Sequence, residues 1–194
     1  AYGKSRVAAM ERVHVAAPPL DLSAKDDPHA VAKAVGGAVL PTCSIRLETP
    51  AQVSRLPGFE AGDWWVQDAA AALPARLLAT GPKARVLDLC AAPGGKTAYI
   101  AALMHEMGEI IAIDRYDSRL KILRKNMERL GLSSIKTIDI DALEYKDELV
   151  DRVLADVPCM GSGTLSKKPD IKWKKTISNG NCVQPTVIGS LTEP

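Results

Sequence analysis

The stretch Arg85–Thr97, R-V-L-D-L-C-A-A-P-G-G-K-T, constrains this chain more than any other. Val86, Leu87 and Leu89 make an apolar run of a length that suits a buried strand. The six residues from Cys90 to Gly95 follow without a bulky side chain. From Lys96 and Thr97 onward, Ile100, Leu103, Met104 and Met107 fall at helical spacing. Strand, small-residue loop and helix, in that order, belong to an open α/β sheet, where ligands sit beyond the carboxyl ends of strands. Small residues let the backbone approach a ligand, and the helix N-terminus offers free N–H groups. The dinucleotide fingerprint G-x-G-x-x-G is absent. Gly95-Lys96-Thr97 fits the second half of a phosphate loop, G-x-x-x-x-G-K-[ST], but Cys90 stands where its first glycine belongs. A phosphate-loop nucleotidase is therefore the competing reading, and an ordinary turn that binds nothing is the plain one.

The 194 residues suffice for one ordinary domain and a small flanking region. With 46% hydrophobic and 25% charged residues, a globular protein is expected. No apolar run reaches membrane-spanning length, and the start carries no signal-peptide pattern. A net charge of +2 is too small to argue for a nucleic-acid partner by itself. Cys43, Cys90, Cys159 and Cys182 form no C-x-x-C and lie near no histidine at ligand spacing, so no metal site is expected. Reduced thiols and a cytoplasmic location are the expectation. The chain opens on Ala1 and is read as a fragment.

Along the chain, Asp27 and Pro28 start a helix that Gly36-Gly37 ends. Ala38–Leu47 has strand character interrupted at Pro41. Leu56–Phe59 is a turn, Trp64 and Trp65 read as core residues, and an alanine-rich helix runs to about Ala79. Beyond the central helix, Glu109–Ile113 is a second strand ending in Asp114. Asp117 is expected to cap a helix with Leu120, Leu123, Met127 and Leu130 on its apolar face and Gly131 at its end. Arg119, Lys121, Arg124, Lys125 and Arg129 read as the solvated face of that helix. Ile135–Ile140 and Val150–Ala155 are further strands, ending at Asp141 and Asp156. Alternating strands and helices imply a doubly wound parallel sheet. Thr176–Pro194 has no periodicity of either kind.

Asp114, Asp141 and Asp156 all fall at strand ends, hence at the sheet edge that carries Cys90–Lys96. An acid after the second strand suits ribose hydroxyls, and one after the third can reach an adenine amino group. Helix capping is the plain reading of any one of them. Three together with the loop favour a nucleoside ligand. Cys159, in D-V-P-C-M-G-S-G, suits covalent catalysis on an electron-poor ring: a thiolate adding to carbon-6 of a pyrimidine makes carbon-5 nucleophilic. An inert buried cysteine is the alternative. Lys167, Lys168, Lys172, Lys174 and Lys175 surround Trp173 and could hold phosphates or form a solvated loop.

These motifs carry a resemblance. L-D-L-C-A-A-P-G-G-K-T at Leu87–Thr97, D-V-P-C-M-G-S-G at Asp156–Gly163 and P-D-I-K-W at Pro169–Trp173 resemble the RNA cytosine-carbon-5 methyltransferases, in particular the bacterial Sun/Fmu type acting on small-subunit ribosomal RNA. L-P-G-F-x-x-G-x-W-W-V-Q-D at Leu56–Asp68 resembles the segment before that family's catalytic domain. The resemblance spans roughly Leu20–Lys174. It implies S-adenosylmethionine as cofactor, held by Cys90, Ala91, Ala92, Pro93, Gly94, Gly95, Lys96, Asp114, Asp141 and Asp156. It implies that Lys96 and Asp156 face a flipped cytosine, and that RNA is the partner. In the RNA family the Pro-Cys thiol, here Cys159, assists release, and the nucleophile sits in a later Thr-Cys-Ser. No Thr-Cys-Ser follows Cys159 here. Cys182 stands in Asn-Cys-Val, and Thr42-Cys43-Ser44 precedes the loop and reads as coincidence.

The expectation is thus an α/β protein. A small N-terminal α/β module (1–55) precedes an incomplete Rossmann-like, S-adenosylmethionine-dependent methyltransferase sheet (56–175) and a tail (176–194). The expected catalytic residues are Cys159, Asp156 and Lys96, in a chain weakly active or inactive alone. The alternatives are the nucleotidase and a non-catalytic RNA-binding remnant.

Overall fold

A computed structural model describes residues 2–15, 17–49, 52–146, 149–158, 164–166, 168, 170 and 173, and the backbone of 187–189. The chain divides into two compact units, one of Ala1–Pro19 with Pro158–Gln184, the other of Leu20–Val157 with Pro185–Pro194. The first contains helix α1 (Lys4–Val15), which buries none of its residues. No helix among the described residues is long and apolar enough to cross a membrane.

The second unit opens with strand β1 (Leu20–Ala24), helix α2 (Pro28–Val35), and strands β2 (Ala38–Val39) and β3 (Ile45–Leu47). Helix α2 starts as the sequence predicts, with Asp27 accepting the His29 N–H at 2.8 Å and Pro28 in its first turn. It ends at Gly36 in the left-handed conformation, φ +70°. Strand β4 (Trp64–Val66) completes an antiparallel sheet in the order β2-β3-β1-β4. This sheet therefore draws its fourth strand from beyond residue 55. Its core is Leu22, Val31, Ile45, Leu47 and the fully buried Trp64. Asp21 sits under the sheet, paired with Arg46 through both carboxylate oxygens at 2.8 Å. It also accepts the N–H of Ala69, the first residue of helix α3 (Ala69–Leu77).

The second sheet contains β5 (Arg85–Asp88), β6 (Glu109–Asp114), β7 (Ile135–Asp139), β8 (Arg152–Ala155) and β9 (Val187–Gly189). Helix α4 (Gly95–Leu103) connects β5 to β6, and α5 (Asp117–Leu130) connects β6 to β7. The order is β7-β6-β5-β8-β9. The first four strands are parallel, and β9 is antiparallel to β8, pairing Ala155 with Val187. Strand β9 lies in the stretch where the sequence shows no periodicity; three residues are too few to register one.

Side chains alternate across this sheet. Val86, Ile110 and Ala112 face the core that holds α3, α4 and α5. Leu87, Ile111 and Ile113 face a smaller cluster with Val150 and Tyr145. Both crossovers from β5 to β6 to β7 move the same way, so right-handed connections put α4 and α5 on one face. The doubly wound expectation is thus modified: among the described residues the second face is covered by the β7–β8 connection, which forms no helix.

Two local expectations are corrected. Leu103 and Met107 share helical spacing with Ile100 and Met104, but both are exposed, Met107 lies beyond the end of α4, and α4 buries Thr97–Ala101 in unbroken sequence. A helix packed against both the sheet and α3 keeps too little solvent face for periodicity to mark. Asp117 does not cap α5. Tyr116 holds the cap position, and Asp117 pairs along the helix with Lys121 and Arg124, each at 3.0 Å.

Candidate functional site

The strand order reverses at β5. From β5 the chain moves outward to β6 and β7, then returns to β8 on its other side. The crevice between the carboxyl ends of β5 and β8 is the position where open α/β sheets bind ligands. The loop after β5 and Asp156 after β8 flank it.

The loop is held by its neighbours on three sides. Leu89 donates to the Leu154 carbonyl and Ala91 to the Ile113 carbonyl, each at 2.9 Å. Helix α5 takes the carbonyls of the cis Ala92–Pro93 unit: Arg119 donates to Ala92 and Asn126 to Pro93. Gly94 caps α4 at φ +102°, and a Cβ there would lie 3.0 Å from Leu123 and 3.1 Å from Met127. Gly95 differs, because a Cβ on it would meet only Gln67, at 3.6 Å or more. Its missing side chain keeps space open rather than avoiding a clash.

That space is a cavity of about 200 Å³ containing Cys90, Ala91, Ala92, Pro93, Gly95, Lys96 and Asp156. Gly94 opens instead, with Gly95, onto a neighbouring cavity of about 220 Å³ beside Asn126 and Met127. Lys96 and Asp156 form an ion pair across the first cavity. A phosphate loop needs its lysine available for a triphosphate. Here a carboxylate takes it, which argues against the nucleotidase.

Asp114 is almost fully buried at the end of β6. One carboxylate oxygen accepts the Tyr116 N–H at 3.2 Å. The other, Oδ2, accepts no hydrogen bond among the described residues, although Arg119 stands 3.0 Å away as a counter-charge off the hydrogen-bond axis. A buried acceptor left open beside a loop without side chains fits a ligand that brings hydroxyl donors. Asp141 is outside both cavities, where it accepts the Leu143 N–H at 3.0 Å and closes the turn after β7. Cys159, Cys182, Lys167, Lys172, Lys174 and Lys175 lie outside the described residues. Thr42-Cys43-Ser44 is a turn between β2 and β3. Its Thr42 carbonyl accepts from Arg76, which also reaches Tyr99. It is not part of the cavity beside Lys96.

Three groups that shape the site were missed in the sequence. Asp88 ends β5 beneath the loop, fully buried, and accepts the Thr97 hydroxyl at 2.8 Å. Burial pushes its carboxyl up to about 6, against the Thr97 hydrogen bond and the Lys96 charge, with Asp156 adding to the rise. Asp88 was legible as a fourth acid at a strand end, but its place inside an apolar run hid it. Arg119 falls on the helix face whose charges read as solvated, yet it joins Asp114 to the loop. Gln67 lies inside the cavity, almost fully buried. Burial also pushes the Cys90 thiol up, reinforced by Asp114 and Asp88 and opposed by Arg119. These surroundings disfavour the thiolate of Cys90. Among the described residues no group of three or more His, Cys, Asp or Glu could hold a metal.

The sequence model of the family described as 16S rRNA methyltransferase RsmB/F matches residues 75–185. A probable ribosomal RNA small subunit methyltransferase B from Synechocystis is 48% identical over 128 residues, which cover 64% of this chain and 29% of that protein. The chain spans about three tenths of the length of the curated relatives it matches. Two solved structures from Pyrococcus horikoshii are similar in fold. One, a methyltransferase homolog protein, matches with a TM-score of 0.72 and 26% identity, over 89% of this chain and 58% of that one. The other, NSun6 with SFG, matches with a TM-score of 0.60 and 33% identity, over 69% of this chain and 34% of that one.

Proposed function

Since the chain belongs to the 16S rRNA methyltransferase RsmB/F family, we propose that it is the methyl-donor-binding core of an enzyme acting on carbon-5 of cytosine in ribosomal RNA. The observation that carries this reading is the Lys96–Asp156 pair at the switch point, beside a loop without side chains. S-adenosylmethionine would be held by the backbone of Cys90–Gly95, with its ribose on the open oxygen of Asp114 and its adenine toward Asp141. When bound, it supplies an electrophilic methyl group on a positively charged sulfur.

The chain's own residues serve the base. Carbon-5 of cytosine is a poor nucleophile until a thiolate adds to carbon-6, forming a C–S bond and moving an electron pair onto carbon-5. Lys96 offers a donor to the ring nitrogen N3, where negative charge gathers during that addition. Asp156 offers an acceptor to the exocyclic amino group. Once carbon-5 carries the methyl, a base removes its proton and the returning electron pair expels the thiolate. Cys159 assists that release, and the attacking thiol belongs to a Thr-Cys-Ser that does not follow Cys159 in this chain. The chain alone is accordingly expected to bind the donor and turn over poorly or not at all.

Calorimetry tests the reading. S-adenosylhomocysteine is expected to bind, and magnesium-ATP is not. ATP binding without homocysteine-nucleoside binding would overturn it. Robust methylation of RNA by the 194-residue chain would refute the need for a further nucleophile. If Cys159 attacked instead, RNA containing 5-fluorocytosine would form a covalent adduct that Cys159→Ser abolishes.

A further inference from the structure

Gln67 is a buried polar side chain of the cavity that the scheme above leaves unused. It is 7% exposed, yet shares the cavity with Lys96, Gly95 and Asp156. Its amide orientation follows from chemistry. The indole nitrogen of Trp65 carries a proton and can only donate. The Gln67 atom 2.9 Å from it must therefore be the carbonyl oxygen Oε1. Ser23, 1% exposed, donates to the same oxygen at 2.9 Å. Both lone pairs of Oε1 are thus in use, and the amide cannot flip without setting its NH2 against the indole N–H of Trp65, which can only donate. The NH2 points the other way. There it reaches the Ala71 carbonyl at 3.5 Å, the limit of a hydrogen bond, which engages one of its two protons. A Cβ on Gly95 would lie 3.6 Å from this nitrogen.

We propose that Gln67 is a substrate-binding residue, whose fixed amide donates to the carbonyl oxygen O2 of the cytosine ring. The proposal rests on the reading of this cavity as the base site. Asp156, Lys96 and Gln67 then present acceptor, donor and donor. The Watson–Crick edge of cytosine presents the complement: the amino group as donor, N3 and O2 as acceptors. Uracil places a carbonyl against Asp156 and an N–H against Lys96, so two of the three positions become mismatched. A side chain on Gly95 would fill the space in front of the amide that a base needs, which gives that glycine a role its own backbone does not require.

The test uses the whole chain saturated with S-adenosylhomocysteine, titrated with single-stranded RNA oligonucleotides carrying one cytosine, one 2-thiocytosine or one abasic site. Replacing O2 by sulfur weakens the acceptor without removing the base. Wild type is expected to bind the cytosine oligonucleotide about tenfold more tightly than the thio analogue, the loss of one hydrogen bond to a buried donor. Gln67→Glu keeps the acceptor for Trp65 and Ser23 but removes the NH2. It is expected to lose about tenfold in cytosine affinity and to become insensitive to the sulfur. Trp65→Phe frees the amide to flip and is expected to give a smaller loss in the same direction. S-adenosylhomocysteine affinity, unchanged in both variants, reports that they are folded. An unchanged sulfur effect in Gln67→Glu overturns the proposal. A loss of S-adenosylhomocysteine affinity in a variant that melts like wild type overturns it in favour of a contact to the donor's carboxylate. Equal wild-type affinity for cytosine and abasic oligonucleotides overturns the base-site reading along with it.

Discussion

Asp88 is the residue with the clearest solution signature. Its carboxyl is displaced from an ordinary 3.8 to about 6 by burial. Between those values the folded chain holds a proton that the unfolded chain has released. Stability therefore falls as pH rises across that window, by about 3 kcal/mol once both states are ionised. Asp88→Asn is expected to remove this slope, read as the difference between the two proteins in urea unfolding at pH 4 and pH 7. Lys96 and Asp156 make a second residue-scale case. Lys96→Met leaves the carboxylate without its counter-charge beside another acid, Asp88. Asp156→Asn leaves the lysine without its anion. On the proposed reading both variants lose cytosine-RNA affinity by about tenfold or more, while S-adenosylhomocysteine affinity falls less, as calorimetry will show. The acids at strand ends and the small-residue loop were legible because strand direction alone sends them to one edge. The states of Asp88 and Cys90 were not, because desolvation is set by neighbours distant in sequence.

At the scale of elements, α5 shows how a helix can be correctly placed and partly misread. Its apolar face of Leu120, Leu123, Met127 and Leu130 is buried as the spacing predicts. Its polar residues divide by what stands opposite. Lys121 is an exposed partner of Asp117. Arg119 and Asn126 grip the loop carbonyls. Arg129 donates to the Phe59 and Trp64 carbonyls and lies 4.3 Å from the Phe59 ring centroid. Helical periodicity separates apolar from polar faces but does not say which polar side chains meet backbone. The junction of loop and α4 gives the matching prediction. Gly94→Val sets a β-branched side chain at positive φ against Leu123 and Met127, and is expected to destabilise the fold by about 2–4 kcal/mol in urea titration. Gly95→Ala meets no such obstacle and is expected to change stability by less than about 1 kcal/mol, with its cost appearing in ligand binding instead.

At the scale of the unit that contains both sheets, the antiparallel sheet is attached to α5 through a few polar contacts. Lys25 donates to the Leu130 carbonyl at 3.0 Å. Arg129 serves two carbonyls, partly buried, with desolvation holding its pKa below the usual value. Gly62 approaches so closely that a Cβ would lie 2.2 Å from the Arg129 carbonyl. Arg129→Met keeps the stem and removes the donors, stranding two carbonyls. It is expected to cost about 2–3 kcal/mol, and calorimetry should show an unfolding endotherm that broadens or splits as the two sheets lose their coupling. The strand–loop–helix unit, the parallel core around it and the carboxylates at its edge can be read from the amino-acid order alone. Those follow from local pattern and from the handedness of crossovers, which are properties of short stretches of chain. The pairing of Lys96 with Asp156, the open acceptor of Asp114 and the fixed amide of Gln67 in the cavity arise on folding. Each of these depends on groups brought together from separate elements, and no spacing along one stretch encodes such a meeting.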